Sequence, residues 1–109
     1  SDVYKRQDYE RVLRALQAAR AEKAQSRLNE GIEIEPSILA SMEGKSPEVQ
    51  ERAKRLLAER AYIADRKDVL LGRYKDSKML QERHLGICLD LALTDEIRSL
   101  EVAVRELLR

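Results

Sequence analysis

Apolar residues recur at spacings of three and four over most of the chain, the pattern of helices that bury one face. It is clearest from Ser46 onward, where Val49, Ala53, Leu56, Leu57, Ile63, Ala64, Leu70, Leu71 and Tyr74 fall on one side of a 3.6-residue helix. The start of that stretch is marked by an N-cap hydroxyl (Ser46), a proline whose missing N–H is not needed in the first turn (Pro47), and a carboxylate at the positive helix end (Glu48). The pattern predicts one long amphipathic helix, or two nearly end to end, over residues 46–108. Gly72 costs about 1 kcal/mol relative to Ala in a helix interior, and Ser77 can cap a new start, so a kink or break is expected between Gly72 and Lys78. Thr94 with Asp95 and Glu96 is a second N-cap signature, after which Ile97, Leu100, Val104 and Leu107 continue the spacing. Arg60, Lys67 and Lys78 interrupt the stripe and are read as seam edges, with their methylenes on apolar surface and their charges in water.

Upstream, residues 8–30 predict a helix with Tyr9, Val12, Leu13, Leu16, Ala19, Ala24 and Leu28 near one side, small enough in places for close helix packing. Gly31 is placed to end it in the left-handed conformation. Residues 31–45 form an elbow, in which the alternating IEIE reads as extended, Pro36 opens a short helical turn through Ile38, Leu39 and Met42, and Gly44 closes it. The fold class expected is all-α: a helical hairpin with one long, kinked, coiled-coil-like C-terminal element lying antiparallel to the first helix.

Composition agrees with that class. There is no Trp or Phe, only four Gly and two Pro, and 38% of residues are charged, so apolar volume comes from aliphatic side chains and loops are few. At 109 residues the chain is one domain with a thin core. The longest apolar run, Leu85 to Leu93, is too short to span a bilayer and contains Asp90, and no apolar signal segment opens the chain. A single Cys88 has no intrachain partner, which points to a reducing, cytoplasmic setting.

The first seven residues, SDVYKRQ, resemble the in-frame translation of a transposon adapter used in making sequencing libraries, and the resemblance covers the whole heptapeptide. It implies an extension over residues 1–7 and a single helical domain over 8–109. Without those residues the formal net charge of +1 becomes 0, so overall charge carries no information about partners. Charge is unevenly placed, however. Residues 30–51 hold six acidic residues and one lysine, whereas residues 52–83 hold ten basic and five acidic, setting an acidic elbow beside a basic helix.

Chemistry is sparse. His84 and Cys88, four apart on one helix face, are two metal ligands at most and do not close a tetrahedral site, so no metal and no cofactor is expected. His84 is the one plausible neutral base, and no nucleophile elbow, phosphate loop or nucleotide fingerprint accompanies it. QERHLG is similar to the phosphoacceptor helix of sensor kinases, but the residues flanking His84 differ and no nucleotide-binding region follows. An enzyme is not expected. Arg52, Arg55, Arg66 and Arg73 fall near one line with Tyr62 among them, a candidate phosphate-binding edge. Against it stand Glu48 and Glu51, placed to pair with Arg52 and Arg55 at i,i+4. The order strand, Pro-initiated helix, Gly turn, helix in IEIEPSILASMEGKSPEVQERAKRLLAER resembles a ribbon-helix-helix DNA-binding dimer, from which it departs in placing Glu33 or Glu35 toward the nucleic acid.

The expectation is therefore a non-enzymatic helical interaction or scaffolding module that self-associates or docks on a partner helix. Its candidate interface is Leu56, Ile63, Leu70, Tyr74, Leu85 and Leu89. The alternative is a small nucleic-acid-binding regulator using Arg52, Arg55, Tyr62, Arg66 and Arg73.

Overall fold

The structure, a computed structural model, describes residues 2–109, with side chains from residue 7 onward. The adapter-like character expected of residues 1–7 concerns side chains that lie for the most part outside the described residues. Four helices follow one another: α1 (Asp2–Glu30), α2 (Pro36–Met42), α3 (Pro47–Tyr74) and α4 (Leu80–Leu108). Together they make a rod of 53 × 23 × 23 Å. The all-α class holds, and among the described residues the IEIE segment forms no strand.

Local chemistry sets the boundaries. Gly31 ends α1 with φ +95° and donates its N–H to the Leu28 carbonyl at 3.0 Å, and Gly44 turns the chain after α2 with φ +79°, conformations that L side chains rarely adopt. Ser46 caps α3, its Oγ accepting from the Val49 N–H at 3.3 Å, with Pro47 in the first turn. The expected break falls at residues 75–79. Ser77 ties the turn to the start of α4 by accepting from the Met79 N–H at 3.1 Å and donating to the Glu82 carboxylate.

Two expectations about arrangement are corrected. First, the second half of the chain is neither one rod nor two helices end to end: α3 and α4 fold back on each other. Arg60 Nε meets Glu101 Oε1 at 2.9 Å and Lys67 Nζ meets Asp90 Oδ1 at 3.2 Å, so rising numbers on α3 match falling numbers on α4. A connection this short makes antiparallel neighbours, and Gly86 lets α4 approach Tyr74 closely enough that a Cβ there would lie 3.1 Å from the tyrosine Cβ. Second, α1 is not antiparallel to α3. Arg20 reaches Glu59 (3.8 Å) and Arg27 reaches Asp65 (2.8 Å), so the numbers rise together and the two helices are parallel. The elbow makes this possible by running back down the rod. Glu33 lines a surface cavity together with Ala61 of α3, and Ile38 lines another with Leu57 of α3 and Val104 of α4.

The second N-cap signature also gives way. Thr94 lies inside a continuous α4, its hydroxyl turned to Asp90 Oδ1 at 3.4 Å, because neither Gly nor Pro interrupts the helix there and its buried face runs on from Leu89 and Leu93 to Leu100 and Val104. The core joins Leu16 of α1, Met42 of α2, and the buried faces of α3 and α4. Its fully buried large side chains are Ile63, Leu89, Leu93 and Val104, each stabilising the fold by about 1.5–3 kcal/mol through burial. Above this core, Arg20 is held between α3 and α4, bonded to Glu96 on the latter and near Glu59 on the former.

Candidate interaction surface

The apolar stripe that sequence spacing offers to a partner is occupied from within. Leu56, Ile63, Leu70 and Leu89 are buried among the chain's own helices, and Tyr74 and Leu85 are half-buried against the same core. The helical company these residues require comes from α1 and from the fold-back of α4.

The arginine line is divided. Arg52, Arg55 and Arg73 are exposed, while Arg66 and Tyr62 are half-buried. Tyr62 packs against the core and lies between Glu59 and Asp65, the two α3 residues tied to α1, so its ring is engaged by the protein itself. The expected Glu48–Arg52 and Glu51–Arg55 bridges are not made, and among the described residues none of the four arginines has a carboxylate partner. His84 Nε2 stands 3.6 Å from Cys88 Sγ on the exposed side of α4, and among the described residues no third ligand joins them.

A different surface emerges at the α3–α4 turn. Since Arg27 is level with Asp65, α1 ends within a turn of that level, and the α3–α4 pair continues past it as a two-helix tip. At and beside this tip the chain exposes Val69, Met79, Leu80, Ile87 and Leu91, with Leu80, Ile87 and Leu91 retaining 70%, 61% and 65% of their accessible surface. Leu80, Ile87 and Leu91 line one side of α4, with His84 between them, opposite the side that carries Leu89 and Leu93 into the core. The first half of α4 is thus apolar on two opposed sides, and three-and-four spacing alone cannot say which one the chain covers itself. Its signal in the sequence was the all-round apolar character of LGICLDLAL, which a helix with only one buried side does not need.

A groove runs along the tip between the two helices. From α3 it is lined by Asp68, Leu71, Gly72 and Lys75, and from α4 by Arg83, Gly86, Ile87 and Asp90. No helix among the described residues is long and apolar enough to cross a membrane. Comparisons with protein-family models, with curated proteins and with solved structures find no match to this chain.

Proposed function

We propose that the protein is a non-enzymatic helical interaction module that presents the α3–α4 tip to another helix. The observation that carries this reading is the line Leu80, Ile87, Leu91, three large apolar side chains each more than three-fifths exposed on one side of a helix whose opposite side already forms the core. Exposed apolar surface gathered in one place, as distinct from scattered single residues, marks an interaction site. A helix laid against it would be read through i, i+3, i+4 and i+7 anchors. The binding side chains stand on a rigid pair of helices, so docking requires little ordering of the chain itself.

The test is capture from extracts of the native source on the immobilised chain, with and without nuclease, beside the variant carrying Leu80→Glu and Leu91→Glu. Both positions are exposed, so the variant keeps its helical circular dichroism. The wild type is expected to retain a helical protein, or more of the same chain, that the variant does not. Identical retention by both would overturn the reading.

A second reading, a nucleic-acid-binding regulator, draws on Arg52, Arg55, Arg66 and Arg73, none paired with a carboxylate among the described residues. It predicts DNA binding that falls steeply with salt and is lost on Arg55→Glu, Arg66→Glu and Arg73→Glu together. It is the weaker reading because Tyr62, the one aromatic in that line, is packed against the core.

A further inference from the structure

We propose that the groove at the α3–α4 tip is a self-complementary interface, and that its occupant is the same groove on a second copy of the chain lying antiparallel to the first. The inference rests on the interaction-module reading and names its partner.

The two walls of the groove mirror one another. Because α3 and α4 are antiparallel and Lys67 meets Asp90, Asp68, Leu71 and Lys75 on the α3 wall run in order beside Asp90, Ile87 and Arg83 on the α4 wall. Along the rod the groove is therefore acidic at its inner end, apolar in the middle with Gly72 open on the α3 wall, and basic toward the turn. Of the four charged groups, Asp68, Lys75 and Arg83 make no ion pair among the described residues. The fourth, Asp90, gives the same oxygen, Oδ1, to both Lys67 and Thr94. Elsewhere on the rod, facing charges are matched within the chain at Arg20, Arg27 and Arg60. In the groove Asp68, Lys75 and Arg83 are exposed without such a match, and Asp90 alone is paired, with Lys67.

Two copies can lay such grooves face to face along a two-fold axis in only two ways. With tips side by side, lysine and arginine meet lysine and arginine, and aspartates meet aspartates, an arrangement that like charges oppose. With tips pointing opposite ways, Lys75 and Arg83 of each copy fall on the aspartate pair of the other, and Leu71 and Ile87 meet their counterparts at the centre. That is the isologous pattern of a closed dimer, in which one patch complements itself. Gly72 leaves the α3 wall without a side chain, so an opposing backbone can come close there, as small residues allow where helices pack tightly. At Gly72 nothing stands within 4 Å of where a Cβ would be, so that space is open in the single chain.

Sedimentation equilibrium of the full chain, from about 5 to about 500 μM, reads the association in a range suited to a small interface. The wild type is expected to dimerise. A chain with Lys75→Asp and Arg83→Asp has two acidic rows, and one with Asp68→Lys and Asp90→Lys has two basic rows. Each alone is expected to associate roughly tenfold more weakly or not at all, and a 1:1 mixture of the two to restore a heterodimer. Gly72→Leu, which adds a bulky side chain at the groove where a Cβ meets no atom of the chain within 4 Å, is expected to abolish dimerisation while leaving the circular dichroism unchanged. A monomeric wild type throughout the range, self-association that survives Gly72→Leu, or failure of the mixed variants to pair would each overturn the proposal. None of these results touches the interaction-module reading, which stands or falls on whether Leu80→Glu with Leu91→Glu changes what the chain captures.

Discussion

Leu89 and Leu91 are two residues apart on one helix and face opposite fates, the first fully buried and the second 65% exposed. Truncating Leu89 to Ala removes apolar contact and leaves a cavity in a close-packed interior, so Leu89→Ala is expected to cost about 2–5 kcal/mol in urea unfolding. Leu91→Ala should change stability by no more than about 0.5 kcal/mol, and equal losses at the two positions would contradict the packing described. Ion pairs divide on the same principle. Arg20 bridges α1 to Glu96 and approaches Glu59, carboxylates whose side chains are only 13% and 12% exposed, whereas Arg11 pairs with Asp8 in open water. Arg20→Ala is expected to cost about 1–3 kcal/mol, because it strips the partner from half-desolvated carboxylates, and Arg11→Ala no more than a few tenths. At this scale the sequence was only partly legible. Glu48–Arg52 and Glu51–Arg55, expected from their i,i+4 spacing, do not form, whereas Glu10–Arg14, at the same spacing, closes at 3.1 Å. Spacing puts two long side chains within reach of each other, and solvent decides whether they meet.

Where an element begins or ends was read best from short-range chemistry. Gly31, Pro36, Gly44, Ser46 and Pro47 each act within a few residues of themselves, and each does in the structure what its side chain or backbone allows. Thr94 misled because an N-cap signature matters only where the preceding helix stops, and nothing stops α4 there. The candidate site was hidden for a related reason: Leu56 and Leu89 look alike whether covered by another chain or by their own, and the covering helix arrives from far along the sequence. Two glycines give the sharpest test of how the elements meet. At Gly86 an added Cβ would lie 3.1 Å from the Tyr74 Cβ, a backbone-fixed atom that cannot swing aside, so Gly86→Ala forces the helices apart despite Ala's better propensity. It is expected to lower stability by about 1 kcal/mol or more. Gly72 sits in the same helical pair with open space around it, so Gly72→Ala should raise stability by about 0.5–1 kcal/mol through propensity alone. Opposite signs, read from thermal or urea midpoints, are the expected result, and a gain at Gly86 would mean that α3 and α4 do not cross as closely as described.

The direction of α1 is a property of the whole molecule, and no local pattern announces it, since three-and-four spacing reads the same for parallel and antiparallel neighbours. What does bear on it is the length of the elbow. A parallel pair needs a connection that returns along the rod, and from Pro47 to the level of Asp65 α3 rises about 27 Å. Residues 31–46, part extended and part helical, span that distance while seating Ile38 and Met42 against α3 and α4. A tight turn would suffice for an antiparallel hairpin, so fifteen or so residues of elbow are a physical requirement of the parallel one. Replacing residues 32–45 by four Gly/Ser residues leaves a connection that reaches at most about 20 Å, too short for the observed arrangement. The variant is therefore expected to lose both the packing of Met42 and the parallel register: its thermal midpoint should fall by about 10 °C or more, and spin labels at positions 27 and 65, close in the parent chain, should separate beyond about 20 Å. An unchanged midpoint with the 27–65 distance retained would show that the crossover is not what sets the direction of the bundle.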